Sequence, residues 1–332
     1  MELTGKRVLV TGADGFIGSH LVETLAAAGC DVLAVACYNS FNSWGWLDTL
    51  PAETLGSVEV ITGDIRDAAW TRSVVKEAEV VFHLAALIAI PFSYRSVELY
   101  MDTNIRGTVN ILQAAGECGV GRVLMTSTSE VYGTAVYTPI DENHPLQAQS
   151  PYSATKISAE MMAESFHRSF GLPVVIARPF NTYGPRQSAR AVIPAIITQV
   201  LSGERRIRLG ALHPTRDFNY VRDVCKGLVL LAACDEAVGR RVNIGSMSEI
   251  SIGGLAAMIS ELAGAGVEIV TEEERMRPEK SEVERLVCDN SLMRRLTGWE
   301  PETSLRKGLS MTIEWFREGG NLERYKARLY NI

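Results

Sequence analysis

Arg7-Val8-Leu9-Val10-Thr11-Gly12-Ala13-Asp14-Gly15-Phe16-Ile17-Gly18 reads as a short apolar strand running into a glycine turn, and the helical pattern His20 to Ala28 follows it. The spacing is G-x-x-G-x-x-G. Glycines in a strand-to-helix turn allow a tight reversal, close approach of backbone to a pyrophosphate and close helix packing, with the phosphates at the helix N-terminus. Gly12, Asp14, Gly15, Phe16, Ile17 and Gly18 are therefore the first candidates for contact with a dinucleotide. Further apolar runs at Val32 to Ala36, Val58 to Thr62, Val80 to Leu84 and Arg122 to Ser127 are separated by helical stretches. That alternation predicts an α/β fold, a Rossmann-type doubly wound parallel sheet with ligands at the carboxyl ends of its strands.

The residues at those ends carry the next expectations. Asp64-Ile65 follows the third run, where the aspartate suits either an adenine amine or the cap of the next helix. His83-Leu84-Ala85-Ala86 closes the fourth run with small residues, which let a flat cofactor lie close. At the end of the second run, Ala36-Cys37-Tyr38-Asn39-Ser40 offers no acid for a ribose and no arginine for a 2′-phosphate, so NAD and NADP both stay open. Asn39, Ser40, Asn42 and Ser43 can bond either group. Leu99 to Cys118 reads as one long helix, and periodicity favours Asn104 inside it as a tolerated exposed residue.

Thr128-Ser129-Glu130-Val131-Tyr132-Gly133 and, about twenty residues later, Tyr152-Ser153-Ala154-Thr155-Lys156 hold the chemistry. Ser150-Pro151 is a helix start, so Tyr152 and Lys156 share one helical face. A lysine ammonium beside a phenol favours the phenolate, which makes Tyr152 a base for an alcohol, and Glu130 is a second base with a different reach. Two bases of unlike strength imply that two different protons move.

Composition sets the bounds. The 332 residues are 46% hydrophobic and 22% charged, enough apolar material for one large core or two unequal ones. The formal charge of -6 offers no basic footprint, so neither nucleic acid nor an anionic membrane is expected as a partner. Six scattered cysteines without a C-x-x-C pair suit reduced thiols in a cytoplasmic protein, and the histidines show no metal-ligand spacing. Met1 to Val10 lacks a charged-then-apolar pattern and no apolar run reaches the roughly 18 residues of a membrane span, so an unprocessed, soluble protein is the expectation. From about Pro185 the alternation becomes less regular, as for a smaller substrate lobe. Residues 1–184 are expected to form the dinucleotide domain, with later segments returning to it, and 185–332 mainly the lobe that binds the substrate.

Taken in order, the glycine turn, Asp64-Ile65, His83-Leu84-Ala85-Ala86, Asn104, Thr128, Tyr152-x-x-x-Lys156 and Arg178-Pro179-Phe180-Asn181-Thr182-Tyr183-Gly184-Pro185 resemble an extended short-chain dehydrogenase/reductase acting on nucleotide sugars. The likeness runs to about Trp315. Thr128-Ser129-Glu130 is similar to the strand end of the GDP-mannose 4,6-dehydratases, and UDP-glucuronate decarboxylases use the same triplet. Tyr38 to Asp48 and Ala86 to Tyr94 resemble the N-acetylglucosamine-nucleotide 4,6-dehydratases of the legionaminic acid pathway. The resemblance implies a tightly bound NAD or NADP recycled in each turnover and a GDP- or UDP-linked N-acetylhexosamine as substrate. The helix Leu99 to Cys118 and the one after Pro151 carry apolar faces, Met161, Met162, Phe166 and Phe170 among them, that suit either a homodimer through a helical interface or burial in the monomer.

It also implies roles. Tyr152, Lys156 and Thr128 would serve the O4 proton, Glu130 the C5 proton, and Ser129 or Glu130 the departing hydroxyl at C6. Leu84, Ala85, Ala86, Asn104, Asp64, Ile65, Asn39 and Ser40 would line the cofactor, while Ser93, Asn181, Arg216, Arg277 and Glu282 would hold the sugar nucleotide. A 4-epimerase, a 5,6-dehydratase, a uronate decarboxylase and, from another class, a non-enzymatic nucleotide sensor are the competing readings.

Overall fold

The computed structural model describes residues 1–276 and 282–326. Its centre is a seven-stranded, all-parallel sheet. Strands β1 (Arg7–Thr11), β2 (Asp31–Cys37), β3 (Val58–Gly63), β4 (Val80–His83), β5 (Arg122–Thr126) and β6 (Val174–Pro179) run in the order β3-β2-β1-β4-β5-β6, and Arg241–Ile244 adds the last strand beside β6. A parallel strand covered on both faces needs apolar side chains on both, which is why Val8, Leu9 and Val10 are consecutive and fully buried. Each such side chain contributes about 1.5–3 kcal/mol on leaving water.

Helix α1 (Phe16–Ala27) and the helix Val221–Ala233 cover one face, with Leu21, Leu25, Val224 and Leu228 in its core. The helices Gly107–Cys118 and Pro151–Phe170 cover the other, with Ile111, Leu112, Ala159 and Ala163. A separate core gathers Ile196, Ile207, Leu255 and Ile313 from Val192–Leu201, Arg206–Leu209, Ile252–Ala263 and Leu305–Arg317. All six cysteines are free, and among the described residues no helix is long and apolar enough to cross a membrane.

The long helix expected over Leu99–Cys118 is interrupted. Val97–Tyr100 leads into a π-helical turn, Met101–Arg106, before the α-helix resumes. The widened turn carries Asn104 inward. Its Oδ1 accepts from Leu87 N at 2.8 Å, and its Nδ2 donates to Leu87 O at 2.9 Å and to Thr155 Oγ1 at 3.0 Å. Asn104 is therefore buried and fully bonded, which corrects the exposed placement that periodicity favoured: tertiary partners offset its poor helix propensity.

His83 at the end of β4 is buried between two hydroxyls, Thr11 Oγ1 at 2.8 Å from Nδ1 and Thr108 Oγ1 at 2.9 Å from Nε2. Thr108 already donates to Asn104 O, so it accepts from Nε2–H, and Nδ1 accepts from Thr11. The ring is thus held neutral, and burial with the nearby Lys156 charge pulls its pKa down to about 3. A group depressed in the folded state keeps its full stability above the unfolded value and loses it as pH falls toward the folded one. Between pH 6.5 and 3 the native state should therefore weaken progressively from this residue, by on the order of a kcal/mol per pH unit in the middle of that window. Urea unfolding of wild type and His83→Asn from pH 7.5 to 5 checks this, and a wild-type-to-variant difference that does not change with pH contradicts it.

Candidate active site

The catalytic candidates are held by two elements. β5 passes through Thr126 and Ser127 to Thr128, whose Oγ1 accepts from Glu130 N at 3.2 Å and caps the short 3-10 turn Ser129–Tyr132. The helix Pro151–Phe170 starts with a reciprocal cap between Ser150 and Ser153, which places Tyr152 in its first turn and Lys156 one turn later. Lys156 Nζ donates to Thr126 O at 2.8 Å, tying helix to strand. The Tyr152 hydroxyl shares a hydrogen bond with the Thr128 side chain, and its ring meets Tyr100 edge-on at 6.4 Å. Thr128, Ser129, Glu130, Tyr152 and Lys156 all line one cavity of about 1210 Å³.

The charge states differ from those expected. Burial pushes the Tyr152 phenol well above the usual tyrosine value, the neighbouring Glu130 carboxylate adds to the rise, and the Thr128 hydrogen bond opposes it. Burial also pulls Lys156 down to about 8, against the opposing Glu160 charge. In the protein alone, burial and the Glu130 charge therefore work against the phenolate that the Tyr152 and Lys156 spacing led one to expect.

Behind the site lies a buried network that sequence reasoning missed. Arg178 donates to both Glu160 oxygens and, at 2.8 Å, to the Tyr132 hydroxyl, which donates to Asn243 Oδ1 at 2.7 Å. All four residues are fully buried. An unpaired charge there would be costly, so the ion pair fixes the turn that presents Glu130 against the helix that presents Lys156. No local signal marks it, since its members lie on four separate elements.

At the other end the glycine turn forms an open cradle. Gly12 has φ 69°, and a Cβ there would stand 2.8 Å from Ala85 N; one on Gly18 would overlap the Gly12 carbonyl. Gly15 caps α1 without a side-chain hydrogen bond, which leaves the first amides of the helix to an anion. Thr126 Oγ1 and Ser127 Oγ are buried without partners among the described residues, and both residues line the cavity. Gly12, Asp14, Gly15, Phe16, Ile17, Gly18, Asp64, Ile65, Leu84, Ala85 and Ala86 line it too. This cradle and these hydroxyls fit a dinucleotide.

Three of the cofactor candidates lie elsewhere. Asn104 acts behind the wall, through Leu87. Asn39 spends its side chain on its own turn, donating to Ser43 O at 2.8 Å and accepting from Phe41 N, and Ser40 is exposed outside the lining; Ser43 reaches the cavity instead. The first turn brings an acid to the end of β2, where Asp14 Oδ2 accepts from Cys37 N at 3.0 Å. Asp64 does not cap the next helix, a task done by Asp67 for Trp70 N; its carboxylate binds Arg66, whose Nε lies 2.9 Å from Oδ2.

On the substrate side, Asn181, Arg216 and Glu282 line the cavity. Arg216 Nη2 donates to Glu282 Oε1 at 3.2 Å, so the expected cation and ribose acid hold each other. The strand Thr215–Arg216 is steadied by Asp217, which accepts from the backbone amides of Ser246, Met247 and Cys288. Ser93 is fully buried outside the lining, with its hydroxyl donating to Ile90 O at 2.7 Å in its own helical turn, so it does not reach the substrate space. Arg277 lies outside the described residues. Arg190, Arg208 and Arg275, which sequence reasoning passed over, do line the cavity. The alternation Arg206-Ile207-Arg208-Leu209 marks Arg208 as facing away from the core, though not toward which space.

Residues 9–312 match the pattern of the family described as GDP-mannose 4,6 dehydratase. The chain belongs to that family. A dTDP-glucose 4,6-dehydratase of Streptomyces antibioticus is 32% identical over 94% of this chain and 92% of its own. A UDP-glucose 4-epimerase of Mycolicibacterium smegmatis is 34% identical over 94% and 98%. Among solved structures, DesIV, a dTDP-glucose 4,6-dehydratase of Streptomyces venezuelae with NAD bound, superposes with a TM-score of 0.83 at 31% identity, covering 95% of this chain and 98% of that one. This member of the GDP-mannose 4,6-dehydratase family is thus an enzyme of the NAD-dependent nucleotide-sugar dehydratase and epimerase superfamily.

Proposed function

We propose that the protein is a nucleotide-sugar 4,6-dehydratase that converts GDP- or UDP-N-acetylglucosamine to the 4-keto-6-deoxy sugar nucleotide. The observation that carries this reading is the convergence of Glu130, Tyr152 and Lys156 on one cavity, with Glu130 near enough for its charge to act on Tyr152. At about 1210 Å³ the cavity exceeds the roughly 300–1,000 Å³ of a single-ligand pocket, so it has room for a dinucleotide and a sugar nucleotide together. When bound, NAD would supply a hydride acceptor for C4 in its oxidised form, the same hydride back to C6 once reduced, and, while oxidised, a positive charge that favours the Tyr152 phenolate.

The chain's own residues move the protons. Tyr152 takes the proton from O4, with Thr128 orienting the phenol. The ketone so formed acidifies C5–H, and Glu130 removes that proton. The C6 hydroxyl then leaves as water, protonated by Glu130 or through Ser129. Lys156, held on Thr126 O, orients the cofactor ribose. Arg216, with Arg190 and Arg208, supplies cations to the diphosphate. The N-acetylhexosamine part rests on the likeness at Ala86 to Tyr94, of which Ala86 to Pro91 lines the cavity. A homodimer belongs to the same reading: Val97, Met101, Met161 and Phe170 are exposed on the helices of one sheet face, and light scattering tests it.

The second reading is a 4-epimerase, favoured by the 34% identity to such a relative beside 32% to the Streptomyces antibioticus dehydratase. Epimerisation has no use for Glu130. Incubation with GDP-, UDP-, CDP- and dTDP-linked sugars should show, by mass spectrometry, loss of one water from at least one substrate. Proton NMR then separates a 4-ketone from an epimer, an exocyclic alkene or a decarboxylated product. An epimer of unchanged mass would overturn the dehydratase reading.

A further inference from the structure

One aromatic cluster has no part in the chemistry above. Trp46, in the short helical turn Gly45–Thr49 that follows β2, meets Trp315 edge-on at 5.7 Å and stacks on Tyr325 at 6.3 Å with an interplanar angle of 28°. Tyr325 packs on Phe316 at 4.8 Å, and its hydroxyl donates to Gln187 O at 2.9 Å. The segment 322–326 therefore runs from the second core, where Phe316 is buried, to the turn beside the dinucleotide loop. That turn is itself fixed to the loop: Trp46 N donates to Asp14 O at 3.0 Å, and a Cβ on Gly45 would stand 2.6 Å from the same oxygen.

Arg324 sits in this clasp. Its Cζ lies 5.9 Å from the Trp46 ring centroid, and it lines the cavity together with Trp46, Asp14 and Arg186. Other arginines at this end are committed, Arg186 to Glu23 at 2.8 Å and Arg66 to Asp64. Arg324 forms no ion pair among the described residues. A cation over an indole face keeps its hydrogen-bond donors for another partner. An anion is the partner it fits, and this end of the cavity is the end the glycine turn prepares for a diphosphate.

We infer that residues 322–326 form a strap that retains the dinucleotide, with Arg324 as its cation toward the cofactor's ADP-ribose half. The strap joins the two cores across the cofactor end of the cavity, so release of the dinucleotide requires the Trp46–Tyr325 stack to part. Retention of this kind suits an enzyme that regenerates its cofactor in each turnover. The inference stands on NAD dependence alone and holds whether the sugar is dehydrated or epimerised.

The test uses the full chain stripped of cofactor, with NAD+ and ADP-ribose as titrants in calorimetry. Arg324→Gln should weaken both by about three- to tenfold, the range for one partly exposed charge-assisted contact. Arg324→Lys should recover part of that loss, and Tyr325→Ala should speed NAD+ release by at least as much. The melting temperature of the cofactor-free Arg324→Gln variant should match wild type, while its rise on adding NAD+ should be smaller. Unchanged NAD+ affinity in Arg324→Gln together with unchanged release in Tyr325→Ala would overturn the strap. So would equal weakening of NAD+ and sugar nucleotide with a lowered cofactor-free melting temperature, which marks a folding defect.

Discussion

Exchanging Glu130 for Gln is expected to lower turnover by about a hundred- to ten-thousand-fold while NAD+ affinity stays at the wild-type level. The amide keeps the size of the side chain. It also leaves in place what holds the turn, the Glu130 N to Thr128 hydrogen bond and the Tyr132 bonds to Arg178 and Asn243. Only the ability to take and return a proton is lost. Because the O4 proton goes to a different group, oxidation at C4 should survive, and the reduced nicotinamide absorbance should rise on adding sugar nucleotide and persist. Stopped-flow absorbance with mass spectrometry of the sugar checks both halves. Turnover within threefold of wild type would remove the carboxylate from the chemistry and leave epimerisation as the better reading.

The expectation that failed most instructively concerns Tyr152. Spacing placed the phenol and Lys156 on one helical face, and the structure has them there, tied to Thr128 and Thr126. Their ionisation is a property of burial, which spacing does not reveal: desolvation raises one group and lowers the other. The parallel sheet was legible because strands covered on both faces must be apolar throughout, and the glycine turn because backbone contact excludes a Cβ at Gly12. Asn104 was misread because its partners, Leu87 and Thr155, lie far off in sequence and are reached only through a π turn. Asn39 and Ser93 failed for the opposite reason. Each finds a partner within four residues, Ser43 O and Ile90 O, so neither is left to face a ligand. The Arg178–Glu160 pair joins a strand to a helix and has no local signature.

Tyr152→Phe should cost about as much turnover as the Glu130 change, roughly a hundred- to ten-thousand-fold, but with the opposite optical result. Without the phenol no group takes the O4 proton, so C4 is not oxidised and no reduced nicotinamide band should appear. The ring itself should stay in place, since its packing on Tyr100 does not involve the hydroxyl. Loss of the bond to Thr128 exposes a polar group to a cavity that admits water, so the variant should melt close to wild type. The two variants together order the proton transfers. A band in Glu130→Gln and none in Tyr152→Phe puts the alcohol proton before the carbon proton, as a ketone that acidifies C5–H requires. A band in Tyr152→Phe as strong as in wild type would show that the O4 proton leaves by another route, and the base would have to be sought among the other groups that line the cavity, Glu130 first.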